Sequence, residues 1–250
     1  MHLMLVNDDG IRAPGIRALC AAAVAAGHRV SVCAPDCERS AASHSITLRQ
    51  GLRAERTDFP GAEVAYAVSG TPADCARLGL YLIPGVDTVI SGVNNGSNLG
   101  GACIYSGTVG AAMEASMSGT PALSASLCAF NTDEYAAAAK LAVRVAEWMM
   151  DHPLPRGAIY NLNVPALPWE EIRGVKAALL SSTYLDSPNY VETRTDGGAA
   201  YSYAHGEDSV AVLDPDSDVP LTQAGYATLT KLTWDLRLNA PDPDVSGIVL

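Results

Sequence analysis

The sequence predicts an α/β protein: a three-layer, Rossmann-like, mostly parallel sheet with a β-rich C-terminal extension or hairpin. Three observations carry this. Residues 3–10, Leu-Met-Leu-Val-Asn-Asp-Asp-Gly, run from four unbroken apolar residues into two carboxylates and a glycine. That is the pattern of a strand buried on both faces and closed by a turn. Apolar strands and amphipathic helices then alternate as far as Val164, as expected for βαβ units with right-handed crossovers. From Gly174 the alternation stops, and residues 184–221 are rich in Tyr, Ser, Asp, Gly and Pro.

The elements follow in order. Pro14 opens a helix through Ile16, Leu19, Ala23 and Val24 that Gly27 closes, with proline early and glycine late as helix ends prefer. Arg29–Ala34 is a second strand, and a polar loop, 36–45, leaves its end with hydroxyls at Ser40, Ser43 and Ser45 and an imidazole at His44. Extended segments at Ile46–Leu52 and Val64–Val68 are expected to widen the sheet. Gly70–Cys75 turns into a helix carrying Leu78, Leu80 and Leu82. Val86–Val93 is a buried strand that enters the glycine- and asparagine-rich loop 92–101, where close backbone approach and positive φ are easy. Tyr105–Thr108 opens a helix over Val109–Ser118, capped by Ser106 or Thr108, whose free N–H groups suit an anion. Pro121–Cys128 is a strand, Thr132-Asp-Glu caps a long helix, and Ile159–Val164 is the last core strand. Beyond it, Val175–Ser182 and Gln223–Leu236 are expected as strands. No helix signal appears in 184–221, and a stretch that long needs a role, such as an arm crossing to a partner subunit.

With 250 residues, of which 48% are hydrophobic and 17% charged, the chain suits one domain with a substantial core. Its parts are an α/β core over 1–172 and an extension and oligomerisation arm over 173–250. A net charge of -11 without a basic run argues against binding long nucleic acid through phosphate neutralisation. No apolar run approaches the roughly 18 residues of a membrane span, and the N-terminus lacks the basic and apolar regions of a signal peptide. Six cysteines without a CxxC pair suit free thiols in a reducing cytoplasm. Cys33 and Cys37 lack the second pair that a zinc site needs.

The chemistry gathers at strand ends. In a doubly wound sheet the loops at the carboxyl edge form the ligand crevice. Adjacent Asp8 and Asp9 repel there unless a cation relieves them. Ser40 and an asparagine amide from 94–98 add neutral oxygens, a hard donor set that suits Mg²⁺, Mn²⁺ or Ca²⁺. A cation beside a helix N-terminus at Ser106–Thr108 is apparatus for phosphoryl transfer to water.

The same residues carry a resemblance. Asn7-Asp-Asp-Gly10 with Ala13-Pro-Gly15, Ala34-Pro-Asp36 with Arg39-Ser40, Gly70-Thr-Pro72 with Asp74-Cys75, Ser91-Gly-Val-Asn94 and Tyr105-Ser-Gly-Thr-Val109 stand in the order seen in the SurE family. Asn161-Leu-Asn-Val-Pro165 extends the match. The resemblance implies a metal-dependent 5′/3′-nucleotidase with one divalent ion per subunit, held by Asp8, Asp9, Ser40 and Asn94. It implies that Asn98 and the turn Ser106, Gly107, Thr108 face the phosphate, with His44 beside that pocket. Asp8, Asp9 and Asn98 are then the groups at the reacting phosphoryl centre, where a metal-activated water is expected to attack; Asp8 as covalent nucleophile is the alternative. The resemblance also implies a homodimer or homotetramer with exchanged C-terminal arms. Cys37, Glu38 and Cys103 depart from the family pattern.

Other readings fit less well. A phospho-acceptor receiver domain needs an aspartate at the end of its third core strand, whereas Val86–Val93 runs into Asn94. A nucleotide-sugar transferase, suggested by Ala26–Val32, needs a second nucleotide-binding domain. A non-catalytic nucleotide-binding or assembly protein would release no phosphate.

Overall fold

The computed structural model describes residues 1–130, 132, 134–184, 190–195, 197–203, 209–210 and 214–235. Its strands are β1 (His2–Val6), β2 (Arg29–Pro35), β3 (Ala54–Arg56), β4 (Val64–Val68), β5 (Thr88–Asn95), β6 (Ala122–Cys128) and β7 (Ala158–Pro165), followed by β8 (Val175–Ala177), β9 (Thr183–Tyr184), β10 (Tyr190–Thr195), β11 (Gly198–Tyr203), β12 (Ser209–Val210) and β13 (Ala227–Thr233). The helices are α1 (Pro14–Ala25), α2 (Pro72–Leu82), α3 (Gly107–Met117), α4 (Ala136–Met149) and α5 (Asp218–Gln223).

A nine-stranded sheet in the order β3-β4-β2-β1-β5-β6-β7-β13-β8 forms the middle layer. Strands β4, β2, β1, β5, β6 and β7 run parallel to one another, while β3 and β13 pair antiparallel to β4 and β7. The chain lays β2 and β4 on one side of β1, then returns to place β5 on the other. The topological switch point therefore lies between β1 and β5, at the ends carrying Asp8, Asp9 and Asn94.

The unbroken apolar run of β1 reflects two cores, because successive side chains on a strand face opposite ways. Leu3 and Leu5 pack with Ile16, Leu19, Leu141 and Val145 beneath α1 and α4. Met4 and Val6 pack with Cys75, Ala76, Ala111 and Ala115 beneath α2 and α3. Helix α3 is buried from Gly107 to Ser116 and built mainly of small residues, so its backbone approaches both the sheet and the loops above it.

Several expectations need correction. Ile46–Leu52 forms no strand; β3 falls at Ala54–Arg56 instead. The earlier segment is engaged by the start of α2, where Thr47 donates to Asp74 and Thr71 donates to the Ser45 carbonyl. Helix α4 starts after Tyr135 without a side-chain cap; Thr132 Oγ accepts the N–H of Glu134, and Asp133 lies outside the described residues. The strand expected over Val175–Ser182 shortens to β8 plus one bridge, Leu179 to Ser217. That over Gln223–Leu236 becomes β13, with Leu236 outside the described residues. Within 184–221 a short helix, α5, begins at Asp218, whose buried carboxylate accepts from the N–H groups of Gly100 and Ser181. Long-range satisfaction of that one carboxylate fixes a turn that local propensity does not announce. Strands β10 and β11 form the separate antiparallel hairpin expected there.

Candidate active site

Four loops meet over the switch point. The turn after β1 is held to β2 by Ile11 N–H on the Pro35 carbonyl at 2.8 Å, and Arg39 N–H donates to the Asp8 carbonyl at 2.7 Å. From β5, Asn95 N–H donates to Asp9 Oδ2 at 3.1 Å. From the start of α3, the Thr108 hydroxyl donates to Asp8 Oδ1. A Cβ added at Gly107 would stand 2.9 Å from Asp8 Cβ, so only glycine lets the helix come this close.

The electrostatics are those of an uncompensated acid pair. Burial pushes the Asp8 carboxyl up against the opposing pull of hydrogen bonds from Thr108, and Glu38 pushes it the same way as burial. Burial and the neighbouring Asp8 charge push Asp9 up to about 6, and Glu38 adds to that. Ser40 donates to Glu38 Oε1 at 2.6 Å, and the charge of Glu38 is felt at both aspartates. Sequence reasoning noted Glu38 only as a departure from a pattern.

Hard oxygens surround the pair. The Asn94 amide nitrogen donates to the Gly96 carbonyl at 2.8 Å, which turns its oxygen the other way. The side-chain oxygens of Asn7 and Asn95, flanking the aspartates, are buried without a hydrogen-bond partner among the described residues. Orphaned acceptors beside two acids of raised pKa fit a divalent cation. Among the described residues no group of three or more His, Cys, Asp and Glu is placed to hold a metal.

The phosphate-side residues divide. Ser106 caps α3 by accepting Val109 N–H at 3.1 Å, and Thr108 is committed to Asp8. Asn98 is buried: its amide donates to Ser126 Oγ at 2.8 Å, and its carbonyl accepts from Asn161 and Asn163, each at 2.9 Å. It anchors loop 96–101 to β6 and β7. His44 sits farther along α3, with Nε2 2.9 Å from Glu114 Oε2. Glu114 was missed in the sequence because its partner His44 lies 70 residues away, and the bond from Asn95, one of the asparagines of 94–98, to Asp9 spans 86.

Residues 3–186 match the family model described as survival protein SurE. A 5′-nucleotidase SurE from Synechococcus sp. (strain JA-3-3Ab) is 42% identical over 247 residues, 96% of this chain and 94% of the relative. Another from Gloeobacter violaceus is 40% identical over 241 residues, 94% of this chain and 91% of the relative. The crystal structure of the SurE protein from Aquifex aeolicus superposes with a TM-score of 0.81 at 33% identity and covers 95% of both chains. The acid pair at the switch point thus sits in a fold and a sequence that both place this chain in the survival protein SurE family.

Proposed function

We propose that the chain is a divalent-metal-dependent phosphomonoesterase that hydrolyses nucleoside monophosphates to nucleoside and inorganic phosphate. The observation that carries this is the acid pair, Asp8 and Asp9, buried at the switch point against the start of α3. The name 5′-nucleotidase carried by relatives about 40% identical over most of the chain supports the substrate class.

In this reading Asp8, Asp9, Ser40 and Asn94 hold one Mg²⁺ or Mn²⁺. When bound, that ion supplies positive charge to the phosphoryl oxygens and activates the attacking water. Asp8 is oriented by Thr108, and Asp9 by the backbone of Asn95, so neither ligand needs to reorganise. The first turn of α3 borders the phosphate, and Asn98 acts by holding loop 96–101 in place beside it. A screen of phosphate release from nucleoside 5′- and 3′-monophosphates, with Mg²⁺, with Mn²⁺ and with chelator, tests the reading. Release that requires a metal is expected; no release from any nucleotide with either metal overturns it.

We further infer a homodimer or homotetramer with the C-terminal arm exchanged. Val175, Leu179, Leu180 and Trp234 are 45%, 62%, 40% and 51% exposed, a run of apolar side chains in want of cover. The hairpin β10–β11 pairs with no other strand among the described residues, and two strands alone are marginally stable. Among the described residues no helix is long and apolar enough to cross a membrane.

A further inference from the structure

Glu114 is a carboxylate only 5% exposed, held in α3 among small residues. Its Oε1 accepts from Arg77 of α2 at 3.0 Å and its Oε2 meets His44 Nε2 at 2.9 Å. With Arg77 fixing one oxygen, the carboxylate cannot turn away from the imidazole. A carboxylate paired with a guanidinium only accepts, so His44 Nε2 carries the proton and Nδ1 is the nitrogen left to meet a ligand. The imidazole is partly open, with its side chain 31% exposed, whereas that of Glu114 is 7% exposed.

The loop that carries His44 is pinned over the same helix. Ser43 donates from its N–H to the Tyr105 carbonyl at 3.0 Å and from its hydroxyl to the Ile104 carbonyl at 2.7 Å. A Cβ at Gly107 would meet Asp8, and one at Gly110 would stand 3.0 Å from His44 Cα. Positions 107, 110 and 114 share one helix face. The backbone of His44 therefore crosses α3 at Gly110, about 4.5 Å along the axis from the Asp8 contact at Gly107. From that crossing the imidazole continues to Glu114, on the helix face that Gly107 presents to Asp8.

We propose that Glu114 is a positioning residue for His44, and that His44, acting as an imidazolium with its Nε2–H on Glu114, donates its Nδ1 proton to the departing nucleoside oxygen; this rests on the phosphomonoesterase reading. Water forms the new P–O bond as the ester P–O bond breaks. The leaving oxygen takes the Nδ1 proton and departs as the nucleoside hydroxyl. The attacking water keeps one proton on the product phosphate and releases the other to solvent, which recharges the imidazole.

The test compares a nucleoside 5′-monophosphate with p-nitrophenyl phosphate, whose phenolate leaves without protonation. His44→Gln is expected to lower kcat on the nucleotide about 100-fold, the usual worth of a general acid, and on p-nitrophenyl phosphate by less than about 5-fold. Glu114→Gln, which offers an amide N–H where the carboxylate accepted, is expected to reproduce the selective loss in kcat with KM nearly constant. Glu114→Asp is expected to restore part of it. Circular dichroism melts check that each variant folds; should Glu114→Gln unfold, the partly exposed His44→Gln decides alone. Equal losses on both substrates, or no loss on the nucleotide, overturn the inference and leave the phosphomonoesterase reading standing. A parent enzyme that releases phosphate from neither substrate overturns both.

Discussion

Asn95 and Asp9 join the two halves of the sheet: the backbone N–H of one donates to the carboxylate of the other at 3.1 Å. That bond closes the crevice between β1 and β5 and fixes one acid while its neighbour Asp8 is fixed from α3. Repulsion between the two is thereby built into the metal-free protein.

Asp9→Asn is expected to abolish activity by orders of magnitude while stabilising the metal-free fold. Asp9 binds its proton more tightly folded, up to about 6, than the ordinary 3.8. The folded state thus holds an extra proton between those values, and ionising Asp9 penalises the fold as pH rises through about 6. The variant should match the parent near pH 4 and exceed it by roughly 1–2 kcal/mol above pH 7. Urea unfolding in chelator at several pH values measures this, and added Mn²⁺ should raise the parent's midpoint more than the variant's.

Thr108→Ala removes the hydroxyl donor from Asp8. The expected result is a loss of about 1–3 kcal/mol of stability and weaker inhibition by inorganic phosphate, with Thr108→Ser close to the parent. Phosphate inhibition as strong in Thr108→Ala as in the parent would remove Thr108 from the phosphate site.

Asp74→Asn tests the tie between loop 45–48 and α2. Burial pushes Asp74 up, but hydrogen bonds from Thr47 and Thr71 outweigh it and hold the carboxyl below its usual range. Its stabilisation is therefore complete above the unfolded carboxylate pKa and lost as pH falls through the lower folded value. At pH 7 the variant should lose about 1.5–3 kcal/mol. The gap should narrow below about pH 4, as thermal melts across pH would record.

Gly110→Ala places a Cβ 2.4 Å from the Ser43 carbonyl oxygen. Backbone must move on one side or the other, at about 1–3 kcal/mol, and the loop bearing His44 shifts with it. A chemical denaturation curve reads the first effect and nucleotide turnover the second.

Deleting residues 185–213, which spares Ser217, Asp218 and α5, and joining the flanks with a short turn is expected to reduce the assembly to smaller species. Light scattering that finds the parent's mass would show that the arm is not the assembly element.

Much of the frame was legible in the sequence because it rests on local pattern. Leu3 to Val6 are apolar in both registers, which only a strand covered on both faces requires. Ser106 sits where a cap belongs, and Asp8-Asp9-Gly10 marks its own turn. What was not legible depends on distant partners. Glu114 reads as one polar residue in a run of alanines until His44 and Arg77 are folded against it. Ile46–Leu52 has strand-like residues, yet Asp74 claims the backbone N–H and hydroxyl of Thr47. Asp218 starts a helix because Gly100 and Ser181 need an acceptor, and neither is near it in sequence.

The bond from Thr108 to Asp8 spans 100 residues, and that distance bears on how the chain folds. Bringing such remote segments together is slow, because the loop must close before any contact rewards it. The two aspartates are adjacent from the start, but a site able to grip a cation exists only once β5 and α3 have docked. A divalent ion should therefore do little to hasten refolding. Its effect belongs on the reverse rate, lengthening the lifetime of the native enzyme by stabilising contacts that the transition state has yet to make.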